Sequence, residues 1–307
     1  MANIPAKDVM ELRKKTGCGM MECKKALVEA EGDFDEAIKI LREKGLSVAA
    51  KKADRVAAEG VVDILSDGNV TAMVEVNAET DFVAKNETFK EFVKGVLRTI
   101  INNKPADLDA LNALNYDGKD VTVKDELTNM ISVIKENIKI RRFDIFEGTT
   151  GTYIHGGGSA GVVTLFDTDL DASTPEFKDY AKNVCMQIAA MGPLYVDKDS
   201  VPASVIENEK EILLTQITND PKLANKPDAI KHKMVDGKIG KYYDTNCLLD
   251  QAYVKDEDLT VGQYTDKTAK ELGGSIKVVK FVKYERGEGI EKKEENFAEE
   301  INKLVNK

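Results

Sequence analysis

An α+β fold is predicted, and three observations predict it. The first 54 residues break into short helical stretches at glycines. The stretch that follows alternates β-branched runs with amphipathic helices. That second pattern then recurs, with Phe177 answering Phe89 at 177 − 89 = 88 positions on. At roughly 150 residues per domain, a chain of 307 residues has room for about two domains and an ample core.

The N-terminal helices come first. PAKDVMELRKKTG places Pro5 near its first turn and stops at Gly17, GMMECKKALVEAEG stops at Gly32, and DFDEAIKILREKG opens on an Asp33-x-x-Glu36 capping box and stops at Gly45. Ala37, Ile38 and Leu41 recur at helical spacing, as do Met20, Ala26, Leu27 and Ala30. Three helices this short bury only a thin core, which suits an adaptor better than an enzyme. The alanine-rich AAKKADRVAAEG (49–60) reads as a connecting helix or linker. From Gly60, VVDIL and VTAMVEV flank Asp67-Gly68-Asn69, a hairpin signal. An amphipathic helix from Thr88 carries Phe89, Phe92, Val93, Val96, Leu97 and Ile100. A second, around VKDELTNMISVIKEN, leads into the strand IKIRRFDIFEG (138–148).

The repeat sets the larger organisation. Tyr180 answers Phe92, Val184 answers Val96 and Ile188 answers Ile100, all at the same offset. Further on, Phe281 in IKVVKFVKYERG answers Phe143, an offset of 281 − 143 = 138. The second copy therefore carries an insertion of 138 − 88 = 50 residues, placed between Val196 and Leu248. Two helical stretches fill it, with narrow apolar stripes (Val205, Ile206, Ile212, Leu213, Ile217; Ile230, Met234, Ile239), as in a helical hairpin standing away from the core. The expected division is a three-helix module at 1–54, a first core half at 55–148, a second at 149–199 and 247–288, the hairpin at 200–246, and a C-terminal helical module at 289–307. The terminal helix presents Phe297, Ile301, Leu304 and Val305.

Composition narrows the function classes. With 44 basic against 54 acidic side chains the net charge is −10, which repels a phosphate backbone and argues against nucleic acid as a direct partner. No apolar run approaches the ~18 residues of a membrane span, and MANIPAKDVMEL reads as neither signal nor transit peptide, so a cytoplasmic protein is expected. Cys18, Cys23, Cys185 and Cys247 read as reduced thiols. Cys18 and Cys23 lack a second ligand pair and read as small core residues rather than zinc ligands. Two His leave little for His-centred catalysis, and no G-x-x-x-x-G-K-[ST] phosphate loop is present. No cofactor is expected.

Two motifs carry competing interpretations. His155-Gly-Gly-Gly-Ser-Ala-Gly161 spells a nucleophile elbow around Ser159, an oxyanion motif and a dinucleotide fingerprint together. The elbow and the fingerprint require a helix next, whereas the strand-like VVTLF follows, which favours a glycine-rich turn between strands. Thr80-Asp81-Phe82-Val83 sits where a strand hands over to a helix. It is either a turn cap with one core Phe or an outward aromatic probe. The second copy has Thr168-Asp169-Leu170 in its place, so only the first carries the aromatic.

Together these pieces resemble the bacterial translation elongation factor Ts family. LRKKTGCGMMECKKALVEAEGDFDEAI (12–38) is similar to that family's ubiquitin-associated-like three-helix module, and EVNAETDFVAKN (75–86) to its core signature. YIHGGGSAGVV and KFVKYERGEGIEKKEENFAEEI match its second core half and C-terminal module. The resemblance implies a duplicated α/β core with antiparallel sheets and a guanine-nucleotide exchange factor for elongation factor Tu, acting through protein contact without covalent chemistry. It implies that Asp81 and Phe82, within Thr80–Val83, wedge into the partner's GTP-binding domain and disturb its Mg²⁺ and phosphate site. His155 would contact the partner near there. Arg13, Met20, Met21, Lys24 and Lys52 would meet it from the N-terminal module, Val254 would face another partner domain, and Leu304 would dock from the terminal helix. The alternatives are a non-catalytic adaptor using the three-helix module and a hydrolase at Ser159. The inserted hairpin could also pair two copies as a homodimer.

Overall fold

The computed structural model describes residues 4–291. Leu304 lies outside the described residues, with the rest of the C-terminal module beyond 291. The elements mix helix with small sheets, an α+β fold. By its internal contacts the chain divides into two compact units: 4–145 with Gly156–Ala160 and 284–291, and Phe146–His155 with Gly161–Lys283.

The first unit opens with α1 (Ala6–Thr16), α2 (Met20–Glu29) and α3 (Phe34–Lys52) around a small core that includes Leu12, Cys18, Cys23, Leu27 and Leu41. Gly17, left-handed at φ 70°, ends α1. Gly45 does not end α3. It stays helical and buried, its Cβ position 3.6 Å from Thr128 and Ser132. A mid-helix glycine costs about 1 kcal/mol against Ala but is no stop unless the backbone turns left-handed. Only half of the expected capping box forms: Asp33 accepts the Glu36 N–H at 2.8 Å, while the Glu36 carboxylate pairs with Lys39 at 3.4 Å.

β1 (Glu59–Asp67) and β2 (Val70–Ala78) form an antiparallel hairpin in which Asp67 pairs with Val70 across a two-residue turn. The short α4 (Asp81–Ala84) precedes α5 (Glu87–Asn103), which Asn86 caps by accepting the Thr88 N–H at 2.8 Å. α6 (Leu108–Ala113), which periodicity does not reveal because it is shorter than two turns, leads to α7 (Val123–Ile134) and β3 (Ile138–Glu147). The sheet order is β1-β2-β3. Phe89, Phe92, Val96, Leu97 and Ile100 of α5 fill the core with β2, α7 and Ile138.

Gly95 makes that packing possible. A Cβ there would lie 1.9 Å from the Tyr116 hydroxyl, whose ring stacks on Phe92 at 5.9 Å. Gly95→Ala is therefore expected to destabilise by roughly 1–3 kcal/mol through overpacking, despite the ~1 kcal/mol helix-propensity gain. Urea denaturation midpoints of the two proteins check it.

The second unit repeats the plan. β4 (Thr149–His155), β5 (Ala160–Thr168) and α8 (Pro175–Met191) lead to α9 (Ala203–Asn219) and α10 (Asp228–Asn246). Then come β6 (Ala252–Tyr253), β7 (Asp256–Thr260), α11 (Val261–Leu272) and β8 (Ile276–Glu285). Its sheet runs β4-β5-β8. The arithmetic of the repeat is met by both helices: 87 + 88 = 175 starts α8, and 123 + 138 = 261 starts α11. Phe177, Tyr180, Val184 and Ile188 are buried like their counterparts. Tyr180 donates to Thr265 at 2.9 Å, and Tyr264 stacks on Tyr253 at 4.2 Å.

α9 and α10 form the inserted hairpin. Leu213, Ile217, Val235 and Ile239 close its private core, with Ile206 and Met234 against it. The stripe is rotated from the expected one. Ile212 and Ile230 face out, because Val235 rather than Ile230 completes the inner row.

Candidate functional site

Among the described residues Phe82 is the most exposed large hydrophobic side chain, at 78%. Its place follows from local structure. β2 ends at Ala78, and the chain turns through Glu79 and Thr80 into α4. Val83 and Ala84 enter the core and fix the helix from below, so Val83 anchors the turn. Phe82 is left on the outer side. The core-Phe alternative for this position is thereby excluded.

Asp81 beside it is half-exposed. Lys85 pairs with it at 2.8 Å and stands 5.9 Å over the Phe82 ring, and the hydrogen bond from Lys85 holds the Asp81 carboxyl below the usual carboxylate range. Thr80 does not cap α4 with its hydroxyl. That hydroxyl donates to Glu136 Oε1 at 2.7 Å, and its N–H donates to Oε2 at 2.9 Å. Glu79 returns the grip by accepting the Asn137 N–H at 2.6 Å. In the second unit Leu170, the counterpart of Phe82, packs against the core. The two copies thus differ in the one feature that turns a strand-to-helix corner into a presented ring. Lys85 and Glu136 were not singled out from sequence. Lys85 could have been, by its i, i+4 spacing from Asp81.

The other expected positions are distributed. Arg13, Met20, Met21 and Lys24 lie exposed on α1 and α2, with Met21 at 63%, and Lys52 is half-buried at the end of α3. Two exposed methionines give this small module an adaptable apolar face. In the second unit His155 is exposed at the end of β4, its Nδ1 3.0 Å from the Tyr153 hydroxyl. Val254 is exposed between β6 and β7, and its N–H donates to Gln187 at 2.9 Å.

The glycine-rich stretch after His155 is the turn between β4 and β5. Gly156, Gly157 and Gly158 all have positive φ. A Cβ on Gly158 would meet Val61 at 3.0 Å, and its carbonyl accepts the Val62 N–H at 2.8 Å. A strand, not a helix, follows Ser159, so the hydrolase geometry is lacking. All four Cys are buried with free thiols, and burial pushes the Cys185 thiol up to about 12. Among the described residues no group of three or more His, Cys, Asp or Glu could hold a metal ion, and no helix is long and apolar enough to cross a membrane.

Glu75 is the acidic residue the sequence hid. Fully buried on β2, it pairs with Arg141 at 3.0 Å and Arg142 at 2.6 Å and accepts from Asn77 at 3.0 Å and the Gly287 N–H at 2.8 Å. Burial raises its pKa, but the Gly287, Asn77 and arginine hydrogen bonds outweigh that and leave it lowered. Arg142 also pairs with Glu288 at 3.0 Å and lies 4.0 Å over the Tyr284 ring. These contacts clamp 284–288 to the first sheet.

The chain thus combines a three-helix module, a duplicated α+β core with an inserted hairpin, and an aromatic ring presented at a strand-to-helix corner. The family model for elongation factor TS matches residues 79–288. The chain is 48% identical to elongation factor Ts of Syntrophotalea carbinolica, over 97% of this chain and 98% of that one. It is 46% identical to that of Clostridium kluyveri (98% and 99%) and 48% identical to that of Clostridium perfringens (99% and 100%). The chain belongs to the elongation factor Ts family.

Proposed function

We propose that this chain is a guanine-nucleotide exchange factor for elongation factor Tu. The observation that carries the proposal is the exposed Phe82 ring, held on an anchored corner next to the half-exposed Asp81. In this scheme Asp81 and Phe82 enter the partner's GTP-binding domain and disturb the elements that hold Mg²⁺ and the GDP phosphates. His155, Val254 and the face bearing Arg13, Met20, Met21, Lys24 and Lys52 hold the partner elsewhere. No reaction is catalysed covalently by this chain, which works in the cytoplasm and needs no nucleic acid.

The energetics require several contacts. A factor that binds the nucleotide-free partner more tightly weakens GDP by the same ratio. A ten-thousand-fold weakening takes about 5.5 kcal/mol of differential binding. Burying one Phe supplies roughly 1.5–3 kcal/mol, so the N-terminal module and the C-terminal residues, Leu304 among them, must favour the open partner too. A homodimer through the hairpin would rely on Ile212 and Ile230, its exposed large hydrophobics. The exchange scheme itself needs only a single copy.

The test is release of a fluorescent GDP analogue from elongation factor Tu with excess unlabelled nucleotide. Micromolar amounts of this protein are expected to accelerate release severalfold or more. Binding that is indifferent to nucleotide, with no acceleration, would establish the adaptor alternative instead.

A further inference from the structure

An exposed aromatic ring on a soluble protein gains by folding back onto any apolar surface within reach. A partly apolar surface exists beside Phe82. A hollow of about 310 Å³ is lined by Phe82 itself with Val83, Asn86, Thr88, Val133, Ile134 and Glu136. The hollow is open and mixed in character, and Val83, Val133 and Ile134 supply the apolar side against which the ring could lie. Yet the ring stands 78% exposed. Something must hold the corner against this collapse.

The hydrogen bonds identify it. α7 ends at Ile134, and Lys135, left-handed at φ 67°, turns the chain so that Glu136 faces the start of α4. Both Glu136 carboxylate oxygens are engaged by one residue, Thr80, at 2.7 and 2.9 Å, two positions before Phe82. Charge-assisted bonds in a two-point arrangement fix orientation as well as position. The neighbouring residues repeat the grip in reverse, since Glu79 accepts from Asn137 at 2.6 Å and from Arg55 at 3.2 Å. Asn137 in turn donates to the Arg55 carbonyl at 2.6 Å. The corner is thus held on one side by the Glu136–Thr80 clamp and below by Val83 and Ala84.

We infer that Glu136 is a positioning residue: it holds Phe82 in its outward pose, away from the hollow lined by Val83, Val133 and Ile134. Resting on the exchange reading, it follows that Glu136 sets the maximal rate of GDP release more than the affinity for the partner. It touches neither nucleotide nor the reacting site.

The chain contains no tryptophan, so Phe82→Trp in the full-length protein supplies a single indole, excited selectively beyond the absorption of the tyrosines, at the position in question. In the otherwise unaltered chain the indole is expected to emit at the red, water-exposed end and to be quenched readily by iodide. Adding Glu136→Ala should shift the emission to the blue and lower the quenching constant about twofold or more as the ring leaves water. Glu136→Gln, which keeps one acceptor for the Thr80 hydroxyl, should fall between, and it decides the question if the alanine variant does not fold. Identical emission and quenching with and without the carboxylate would overturn the inference, whatever the exchange assay shows.

In that assay Glu136→Ala is expected to lower the maximal release rate roughly tenfold and to change the half-saturating concentration less than about threefold. Phe82→Ala with Glu136→Ala should be no slower than Phe82→Ala alone, because the clamp acts through the ring. Additive slowing would mark Glu136 as merely structural and refute the positioning role. If the unaltered chain itself fails to accelerate release, the exchange reading falls, and the fluorescence comparison still decides the role of Glu136.

Discussion

Phe82→Ala is expected to slow factor-stimulated GDP release by roughly 10- to 150-fold, the rate equivalent of losing the 1.5–3 kcal/mol that burial of one Phe provides. The thermal midpoint should stay where it is. A ring 78% in water, with the Lys85 ammonium 5.9 Å over it, leaves no buried cavity when truncated. Stopped-flow release with labelled GDP and a thermal melt on the same preparation check the two halves. The combination matters, because large loss of stability with intact exchange would return Phe82 to the core and remove the wedge. The effect should also appear mainly in the maximal rate. A contact formed only as the partner opens contributes nothing to the initial encounter.

Glu75→Gln should be the most destabilising of the conservative substitutions considered. It leaves two arginines facing a neutral amide, and breaking a buried pair costs about 3–5 kcal/mol when the remaining charge stays buried. Arg141 and Arg142 are 28% and 30% exposed and can regain some water, so a loss of about 2–4 kcal/mol is expected. The ion pair also gives the protein an acid limit. The folded-state pKa of Glu75 is lowered from its ordinary value of 4.5. Its contribution is therefore complete above that value and disappears as pH falls through the lower, folded-state pKa. Calorimetric melts from about 2 pH units above the ordinary value to about 2 below it should show the unaltered protein converging on Glu75→Gln in acid. A constant gap at all pH values would show that folding leaves the Glu75 pKa unshifted, against the lowered value that the ion pair requires.

The parts of the fold that rest on period and recurrence were legible in the chain. Apolar spacing in α5 and its copy in α8 gave both helices and their buried residues, and the Gly68-Asn69 turn gave the first hairpin. The growth of the offset from 88 to 138 located the hairpin formed by α9 and α10. What failed to show depends on contacts distant in sequence. Gly45 looks like a stop, since its helical φ is decided by packing against α7. Glu75 shares its face of β2 with Thr71, Met73 and Asn77, which alternation alone would turn to solvent, yet all four are buried. Its partner Gly287 lies 212 residues away. Phe82 was ambiguous for a different reason. No periodicity distinguishes a presented ring from a core one, and only the Leu170 at the equivalent place in the second copy hinted that the first is used differently. Glu136 left no local trace, because Thr80 is 56 residues earlier.

The clamp on Glu75 also bears on how the chain is made. On a ribosome adding ~5–20 residues per second, Gly287 follows Glu75 by roughly 10–40 s. During that interval the carboxylate has its β3 arginines within reach but lacks the peptide N–H that completes its shell. The second unit, enclosed between segments of the first, emerges in the meantime and can form its own core. The first unit to start is therefore the last to finish.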